Sequence, residues 1–226
     1  LRADRRATIV ELAAGAAHEI RNPLTSIRSS LQYLESRNRE ENEKKLLGVA
    51  LRETDRIDEI LSALLSFSRP SEIRKEPCDL VALIEESAAL VAIQARAKGV
   101  EVRTAFPPRA IVVDADGSQL KQVFLNVFLN AVQAMESGGR LTIEALPLES
   151  GKSFVKIADT GPGISEEALE KVFDPFFTTK KGGTGLGLSI CYTIVKAHGG
   201  EIELRSRLGA GTTVLLSLPP GSRETS

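Results

Sequence analysis

The sequence predicts an α+β chain in which an antiparallel helical hairpin precedes a two-layer α/β sandwich. Glycine and proline divide the 226 residues at about residue 70. Only Gly15 and Gly48 of the 18 glycines precede that point, and Pro23 is the only proline before Pro70. Because turns need these residues and long helices avoid them, we expect helix in the first third and a mixed fold after it.

Composition and charge exclude several classes of protein. Hydrophobic residues make up 42%, and 29 basic residues balance 30 acidic ones. This balance argues against a nucleic-acid partner, and no apolar run reaches the length of a membrane span, so any membrane attachment is expected in regions outside this chain. The chain starts at Leu1, which suggests a piece of a longer protein. Two isolated cysteines, Cys78 and Cys191, give no disulfide framework or zinc site and favour a reducing, cytoplasmic compartment.

The hairpin is predicted from two heptad stripes of apolar residues. The first stripe, spaced by alternating steps of four and three, is Ile20, Leu24, Ile27, Leu31 and Leu34. The second is Leu46, Ala50, Ile57, Ile60, Leu64 and Phe67, with a polar turn at 36–42 between the two. Two helices cannot bury both stripes alone, so we expect a homodimeric four-helix bundle from residues 1–69 and a second domain from 70–226. A monomeric hairpin packed on the rest of the chain is the alternative.

The second domain is predicted from local caps and alternating patterns. Asp79 and Asp116 each begin a helix as N-cap residues, Gln119 lies where a capping box has its partner, and Gly99 ends the first helix. The predicted helices cover 79–98, 116–135 and 185–197. The predicted strands cover 72–77, 100–104, 111–114, 141–146, 154–158, 201–206 and 212–218, with a loop at 160–184. Helices against a mostly antiparallel sheet make an α/β sandwich.

A polar motif in the first helix is poorly explained by packing. His18 lies two residues from both Ala16 and Ile20 of the apolar stripe, about 200° around a helix. Glu19 is adjacent and Asn22 lies one turn later on the same face. A neutral imidazole is a good nucleophile, and a carboxylate beside it can take up its ring proton. A solvated surface histidine is the alternative.

Three motifs in the second domain carry groups that suit the binding of a phosphate-containing ligand. Asn126 and Asn130 share a face of an apolar helix, where their amide oxygens suit Mg²⁺ unless they bond internally. Asp159 ends a strand before a glycine turn and could accept a hydrogen bond from a base, although such turns are common. Glycines at 183, 185 and 187 lead into a helix whose N–H groups suit phosphate.

The segment between the last two motifs is a candidate lid. Three of the eight phenylalanines, Phe173, Phe176 and Phe177, cluster there ahead of Lys180 and Lys181. The aromatic residues favour a hydrophobic hinge, or a loop held on the core, and the lysines could reach a phosphate.

Taken together and in order, these motifs resemble those of the two-component sensor histidine kinases over about residues 5–219. The His18 motif resembles the H-box of the dimerisation and phosphotransfer domain. The later motifs resemble the N, G1, F and G2 boxes of the catalytic domain, whose GHKL (Bergerat) ATP-binding fold is shared with the gyrase, heat-shock-90 and MutL ATPases. The Phe-Asp-Pro-Phe-Phe-Thr-Thr-Lys form is most similar to the nitrogen-regulation and sporulation-kinase subgroup.

The resemblance implies ATP-dependent autophosphorylation of His18, activated by Glu19, and transfer to an aspartate of a response regulator. Asn22 would support dephosphorylation of the regulator. Asn130 would be the main Mg²⁺ ligand, with Asn126 beside it. The residues implied to bind ATP and its metal are Asn126, Asn130, Asp159, Gly161, Gly163, Lys180, Gly183, Thr184, Gly185, Leu186, Gly187, Leu188 and Thr212.

Within that set, Asp159 would recognise the adenine amine with Thr212 in support, and Lys180 would approach the γ-phosphate. One position departs from the family pattern, because Gln133 stands where many members have Lys or Arg against the phosphates. The resemblance therefore implies a larger role for Lys180 or Lys181. We expect a structural role for His198 at a helix C-terminus, where the dipole favours a histidine.

Two other functions are compatible with the sequence. A different ATPase of the same fold would hydrolyse ATP without a phosphoprotein, and a dimeric nucleotide-binding scaffold would transfer no phosphate. The face of the first helix around Ser26, Ser29 and Ser30 is the expected docking surface for a regulator. Whether phosphorylation runs within one protomer or across the dimer depends on the handedness of the hairpin turn and stays open.

Overall fold

The computed structural model describes eleven stretches of the chain, and the chain divides into two compact units, Leu1–Glu72 and Ile73–Ser226. The described residues are 24–25, 27–29, 31–32, 47–48, 50–51, 54, 57, 73–147, 151–175, 177–180 and 185–221.

The described residues of the first unit are all helical, as the heptad stripes predict. Two hydroxyl groups bond back to the carbonyl one turn earlier: Ser29 Oγ donates to the Thr25 oxygen at 3.0 Å, and Thr54 Oγ1 donates to the Ala50 oxygen at 2.8 Å. Ile27 and Ile57, one from each stripe, are 49% and 39% exposed in the single chain. Both stripes therefore leave apolar surface on this unit.

The second unit is built on a five-stranded sheet in the order β2-β4-β5-β7-β6. Strands β2 and β4 are parallel, and the other neighbours are antiparallel. The strands of this sheet are β2 (Val100–Ala105), β4 (Gly139–Pro147), β5 (Ser153–Asp159), β6 (Glu201–Ser206) and β7 (Thr212–Leu218). A two-stranded antiparallel sheet pairs β1 (Glu76–Asp79) with β3 (Val112–Ala115).

The helices described in this unit are α1 (Leu80–Ala97), α2 (Gly117–Ala134), α3 (Glu166–Leu169) and α4 (Gly187–Ala197). Helix α2 packs between α1 and α4 and also contacts β4 and β5. Its apolar side, which includes the stacked rings of Phe124 and Phe128, is buried together with sheet residues such as Leu141 and Ile157. The predicted α+β class with a two-layer sandwich is confirmed.

Local caps account for the helix boundaries. The Asp79 carboxylate accepts from the Val81 N–H at 3.0 Å, and the Asp116 carboxylate accepts from the Ser118 and Gln119 N–H groups. Gly99 follows α1 with a φ of +69°, which favours glycine. Aspartate at the N-cap satisfies N–H groups that the first helical turn leaves without partners.

Three predicted boundaries were wrong. The first strand covers Glu76–Asp79 rather than 72–77, because its pairing with β3 sets its position. The predicted loop at 160–184 contains the short helix α3, whose Ser165 N-cap accepts from the Ala168 N–H. Helix α4 begins at Gly187 rather than Gly185, because Gly185 has a φ of +69°. Among the described residues, no helix has both the length and the apolar character of a membrane span.

Candidate functional site

Asp159 ends β5 with its carboxylate held by backbone. Its Oδ1 accepts from the Gly161 N–H at 2.8 Å and from the Thr212 N–H at 3.2 Å. Among the described residues Oδ2 has no hydrogen-bond donor, so it is the oxygen available to a ligand. Burial raises the pKa of this carboxyl, an effect opposed by the two N–H groups and by the charge of Lys180.

The loop after Asp159 is fixed against the β6–β7 turn by Ser206, which sequence reasoning missed. Its hydroxyl accepts from the Ile164 N–H at 2.9 Å, donates to the Gly211 oxygen at 2.8 Å, and lies 3.0 Å from Thr212 Oγ1. A serine at the end of a strand carries no local signal of such contacts, since its partners lie on separate loops.

Two glycines make this close packing of loops feasible. Gly163 has a φ of +73°, and a Cβ there would collide with the Arg207 carbonyl. Gly211 has a φ of +82°, and a Cβ there would collide with the carbonyl of Asp159. Gly163, which is predicted to shape the pocket, and Gly211, which is not predicted, therefore each have a steric reason to be glycine.

Asn126 and Asn130 lie on α2 beside the start of α4. A Cβ on Gly187 would be 3.8 Å from Asn130 Nδ2 and 3.9 Å from Asn126 Cγ, so both amides border this residue. Asn126 Nδ2 donates to the Gly187 oxygen at 3.3 Å. This contact ties Asn126 to α4, whereas the side-chain oxygen of Asn130 has a different partner.

That partner is Lys180, which brings its ammonium group to the last turn of α2. Lys180 Nζ donates to Asn130 Oδ1 at 2.6 Å and to Gln133 Oε1 at 3.0 Å. Partial burial lowers the pKa of Lys180 to about 8, repulsion from Lys98 acts in the same direction, and Asp159 opposes both. The amide oxygen of Asn130 therefore faces a cation in this structure.

The N-terminus of α4 presents backbone N–H groups without a side-chain cap. Leu186 is the N-cap residue and is buried, and no side chain bonds to the first turn. Ser189 Oγ donates to the Leu186 oxygen instead. Since the first N–H groups of a helix have no intrahelical partner, an anion can bind there, next to Gly187, Leu188 and the two asparagines.

The lid segment is anchored to α4 by aromatic contacts. Val172 is buried, and the ring of Phe173 lies 5.5 Å from the ring of Tyr192. Lys196 Nζ lies 5.6 Å from the centre of the same tyrosine ring. The start of the segment is thus held on the core, as the alternative interpretation of the phenylalanine cluster predicts.

His198 has a structural position, but not for the predicted electrostatic reason. It is 1% exposed, its Nε2 accepts from the Asp116 N–H at 2.9 Å, and its Nδ1 lies 2.8 Å from the Ile194 oxygen. These partners assign a neutral ring with its proton on Nδ1. The histidine joins the end of α4 to the start of α2 through hydrogen bonds rather than through charge.

Several predicted site residues lie outside the described residues: His18, Glu19, Asn22, Phe176, Lys181, Gly183, Thr184 and the serines Ser26 and Ser30. The described parts of the chain contain no cluster of His, Cys, Asp and Glu that could hold a metal ion. Amide oxygens such as Asn130 Oδ1 are therefore the metal-binding groups that this site offers to a hard cation.

Two family models match the chain. The model described as histidine kinase-, DNA gyrase B- and HSP90-like ATPase matches residues 115–222. The model of the His Kinase A (phospho-acceptor) domain matches residues 8–73. The first match contains the Asp159, Asn130 and α4 regions, and the second contains His18.

Curated relatives cover nearly the whole chain. The signal transduction histidine-protein kinase AtoS of Escherichia coli strain K12 is 41% identical over 221 residues, which is 96% of this chain and 36% of the relative. Sporulation kinase A of Bacillus subtilis strain 168 is 38% identical over 221 residues, 97% of this chain and 36% of the relative. The chain spans about a third to a half of the length of such relatives.

Solved structures show the same likeness. Full-length ShkA in complex with AMPPNP has a TM-score of 0.80 at 27% identity, covering 94% of this chain and 46% of ShkA. The histidine kinase ThkA in complex with the response regulator protein TrrA has a TM-score of 0.71 at 30% identity, covering 98% of this chain and 65% of ThkA.

Proposed function

This chain belongs to the two-component sensor histidine kinases, and we propose that it phosphorylates its own His18 from ATP and then transfers the phosphoryl group to an aspartate of a response regulator. One observation carries the nucleotide part of this proposal. The side-chain oxygen of Asn130 faces the Lys180 ammonium group at 2.6 Å, next to the uncapped N-terminus of α4. Amide oxygen, ammonium and helix N-terminus are the groups that a metal-bound polyphosphate needs.

Adenine binds at the Asp159 end of the site. The free Oδ2 of Asp159 accepts from the exocyclic amine of the base, while Gly161 and Thr212 hold the other carboxylate oxygen. A Cβ on Gly161 would be 3.5 Å from Ala134 and Met135, so this loop lies against the end of α2. Adenine and phosphates therefore occupy adjoining parts of one site, in keeping with the AMPPNP complex of ShkA.

The phosphates bind at the start of α4. The backbone of Gly185, Leu186, Gly187 and Leu188 supplies N–H groups there, and the family resemblance assigns Gly183 and Thr184 to the same phosphate-binding segment. Lys180 exchanges its bond to Asn130 for one to the γ-phosphate. The flexible side chain of Lys180 allows this movement. The segment is anchored at Phe173, seven residues earlier, so the anchor does not restrain this side chain.

Mg²⁺ fits the donor set of the site. Asn130 Oδ1 would be its main protein ligand, with Asn126 beside it, and waters and phosphate oxygens would complete an oxygen shell. A bound Mg²⁺ would neutralise charge on the phosphates. The contact of Asn130 Oδ1 with an ammonium group supports this choice, because the oxygen already faces a positive charge.

The chemical step is a displacement at phosphorus. A ring nitrogen of His18 forms a bond to the γ-phosphorus, the bond from that phosphorus to the β–γ bridging oxygen breaks, and ADP leaves with the electron pair. Glu19 accepts the proton of the other ring nitrogen, so the phosphorylated ring stays neutral. The bond between the His18 nitrogen and the phosphorus then breaks as a carboxylate oxygen of a response-regulator aspartate bonds to that phosphorus, and the electron pair returns to the ring nitrogen. Asn22 supports a separate reaction, dephosphorylation of the regulator.

The histidine count supports His18 as the acceptor. The chain has two histidines, and His198 is buried with both ring nitrogens engaged. That ring cannot reach a phosphate without unfolding its surroundings. His18 is therefore the acceptor that the proposal names.

Residues 1–69 form the dimerisation and phosphotransfer domain and residues 70–226 the catalytic domain. The exposure of Ile27 and Ile57 in the single chain supports a homodimer, since pairing of two hairpins would bury both stripes. The complex of ThkA with TrrA supports a response regulator as partner. A cytoplasmic location follows from a partner and a nucleotide substrate of this kind.

The proposal is tested by incubating the full chain with ATP labelled with radioactive phosphorus at the γ position. We expect an acid-labile, alkali-stable labelled protein, and complete loss of label in His18→Gln, which should still bind ATP. Label that persists in His18→Gln would overturn the acceptor assignment. ATP hydrolysis without a labelled protein would favour an ATPase of the same fold, and nucleotide binding without either would favour a scaffold.

A further inference from the structure

Two ammonium groups from distant parts of the sequence meet at one neutral residue, Gln133. Lys180 Nζ donates to the side-chain oxygen of Gln133 at 3.0 Å. Lys98 Nζ, from the residue that follows α1, donates to the backbone oxygen of Gln133 at 3.1 Å. Both ammonium groups therefore lie within hydrogen-bond distance of the same residue.

Capping of the C-terminus of α2 explains only one of these two lysines. Helix α2 has no basic residue in its last turn, and its final carbonyls gain from a positive charge. Lys98 supplies that charge to the Gln133 carbonyl. A second ammonium beside it adds repulsion, so helix capping does not account for the pair.

The positive charges of Lys98 and Lys180 are also not balanced by ion pairs among the described residues. In residues 73–147, 151–175, 177–180 and 185–221, neither Lys98 nor Lys180 forms an ion pair, and the carboxylate that acts on Lys180 is Asp159. The other groups at the cluster, Asn130 and Gln133, are neutral amides. Like charges held together in this way favour an anion that can bind both.

We propose that Lys98 is a second phosphate-binding residue, which contacts the polyphosphate of the nucleotide together with Lys180. This inference rests on the proposed nucleotide site. The lysine pair supplies the positive charge that the neutral Gln133 does not. Lys98 is half-buried along its stem, and its Nζ lies one hydrogen bond from the residue that also holds Lys180. A small rotation of the stem exchanges the carbonyl of Gln133 for a phosphate oxygen.

Two substitutions separate phosphate binding from helix capping. Lys98→Gln removes the charge but keeps an amide donor for the Gln133 carbonyl, whereas Lys98→Met removes both. Lys152→Gln is the matched control, because Lys152 is an exposed lysine that precedes the first residue of β5, at the opposite end of that strand from Asp159. Gln133→Lys in the Lys98→Gln background restores one positive charge at the cluster.

The measurement is calorimetric titration of the full chain with AMPPNP, which carries the γ-phosphate that Lys180 approaches, and with adenosine, each in the presence of Mg²⁺. We expect Lys98→Gln to weaken AMPPNP binding about 10-fold, as loss of one charged hydrogen bond predicts, and to leave adenosine binding unchanged. Gln133→Lys should recover most of that loss, and Lys152→Gln should match the wild-type chain.

Wild-type AMPPNP affinity in Lys98→Gln would overturn the proposal. If Lys98→Met then lowered the melting temperature without changing AMPPNP affinity, capping of α2 would be the whole role of Lys98. Failure of the wild-type chain to bind either ligand would instead overturn the proposed nucleotide site, and the role of Lys98 with it. The adenosine titration distinguishes the two failures, since it does not depend on the lysines.

Discussion

The two ends of α2 are held by polar contacts of opposite character. At the N-terminal end, the Asp116 N–H donates to the buried ring of His198, whose other nitrogen is bonded to Ile194. At the C-terminal end, Asn130 and Gln133 share the ammonium group of Lys180 at the surface. At the buried end each ring nitrogen of His198 has one backbone partner, whereas at the exposed end Lys180 contacts two amides and Lys98 adds a second positive charge. The polar groups that hold the fold and those proposed to bind a ligand thus lie at opposite ends of α2.

The difference has a physical basis in solvation. A buried polar group that loses its partner cannot turn to water, so the His198 contacts are costly to break. A surface ammonium keeps part of its hydration and can change partners at small cost. We therefore expect that a ligand bound at the exposed end of α2 would leave the contacts of the buried end unchanged.

The largest effect is expected for Asn130→Ala at the exposed end. Loss of the amide oxygen should weaken binding of Mg²⁺-ADP at least about 100-fold, or roughly 3 kcal/mol, because the metal loses its main protein ligand. The melting temperature should change little, since Lys180 keeps Gln133. Titration calorimetry and thermal unfolding measure the two quantities.

The control for this prediction is Gln94→Ala, which removes an exposed amide from α1. It should alter neither quantity. A fall in stability of Asn130→Ala comparable to that expected for the buried end would contradict the proposed separation.

His198→Ala should have the opposite profile. Removing the ring leaves a cavity and leaves the Asp116 N–H without its partner, whereas the Ile194 oxygen keeps its bond to the backbone N–H of residue 198. The free energy of unfolding should therefore fall by about 2–3 kcal/mol. Nucleotide affinity of the folded protein at low temperature should stay within about twofold of wild type. Urea unfolding and calorimetry test this; a large loss of affinity with unchanged stability would place His198 in the binding machinery instead.

The sequence predicted those features that local chemistry decides. Asp79, Asp116 and Gly99 set helix ends through contacts with their own neighbours, and the hairpin of β6 and β7 follows from alternation and a glycine turn. Helix α3 was missed because four residues give no periodic signal. The position of β1 was wrong because a partner strand decides it.

The same distinction applies to the candidate site. Asp159 and Asn130 were predicted from residue type and neighbours. The bond from Lys180 to Asn130 spans 50 positions, and that from Asp116 to His198 spans 82. No local pattern encodes such pairs, so the contacts of Lys98, Ser206 and His198 are found only in the fold.

The smallest effect is expected for Ser206→Ala, which lies between the two classes of contact. Ser206 touches the loop of Asp159 through Ile164 and Thr212, so it is a positioning residue rather than a ligand. Its removal should lower the free energy of unfolding by about 1–2 kcal/mol and weaken adenosine binding a few-fold, since Thr212 then holds the Asp159 carboxylate less firmly. Ser217→Ala on β7 is the control, because the described residues give its hydroxyl no partner.

Ser206→Thr, which restores the hydroxyl, should recover adenosine affinity if the hydrogen bonds and not the packing of the loop position Asp159. An unchanged adenosine affinity in Ser206→Ala would place this serine with His198, among the contacts that only hold the fold.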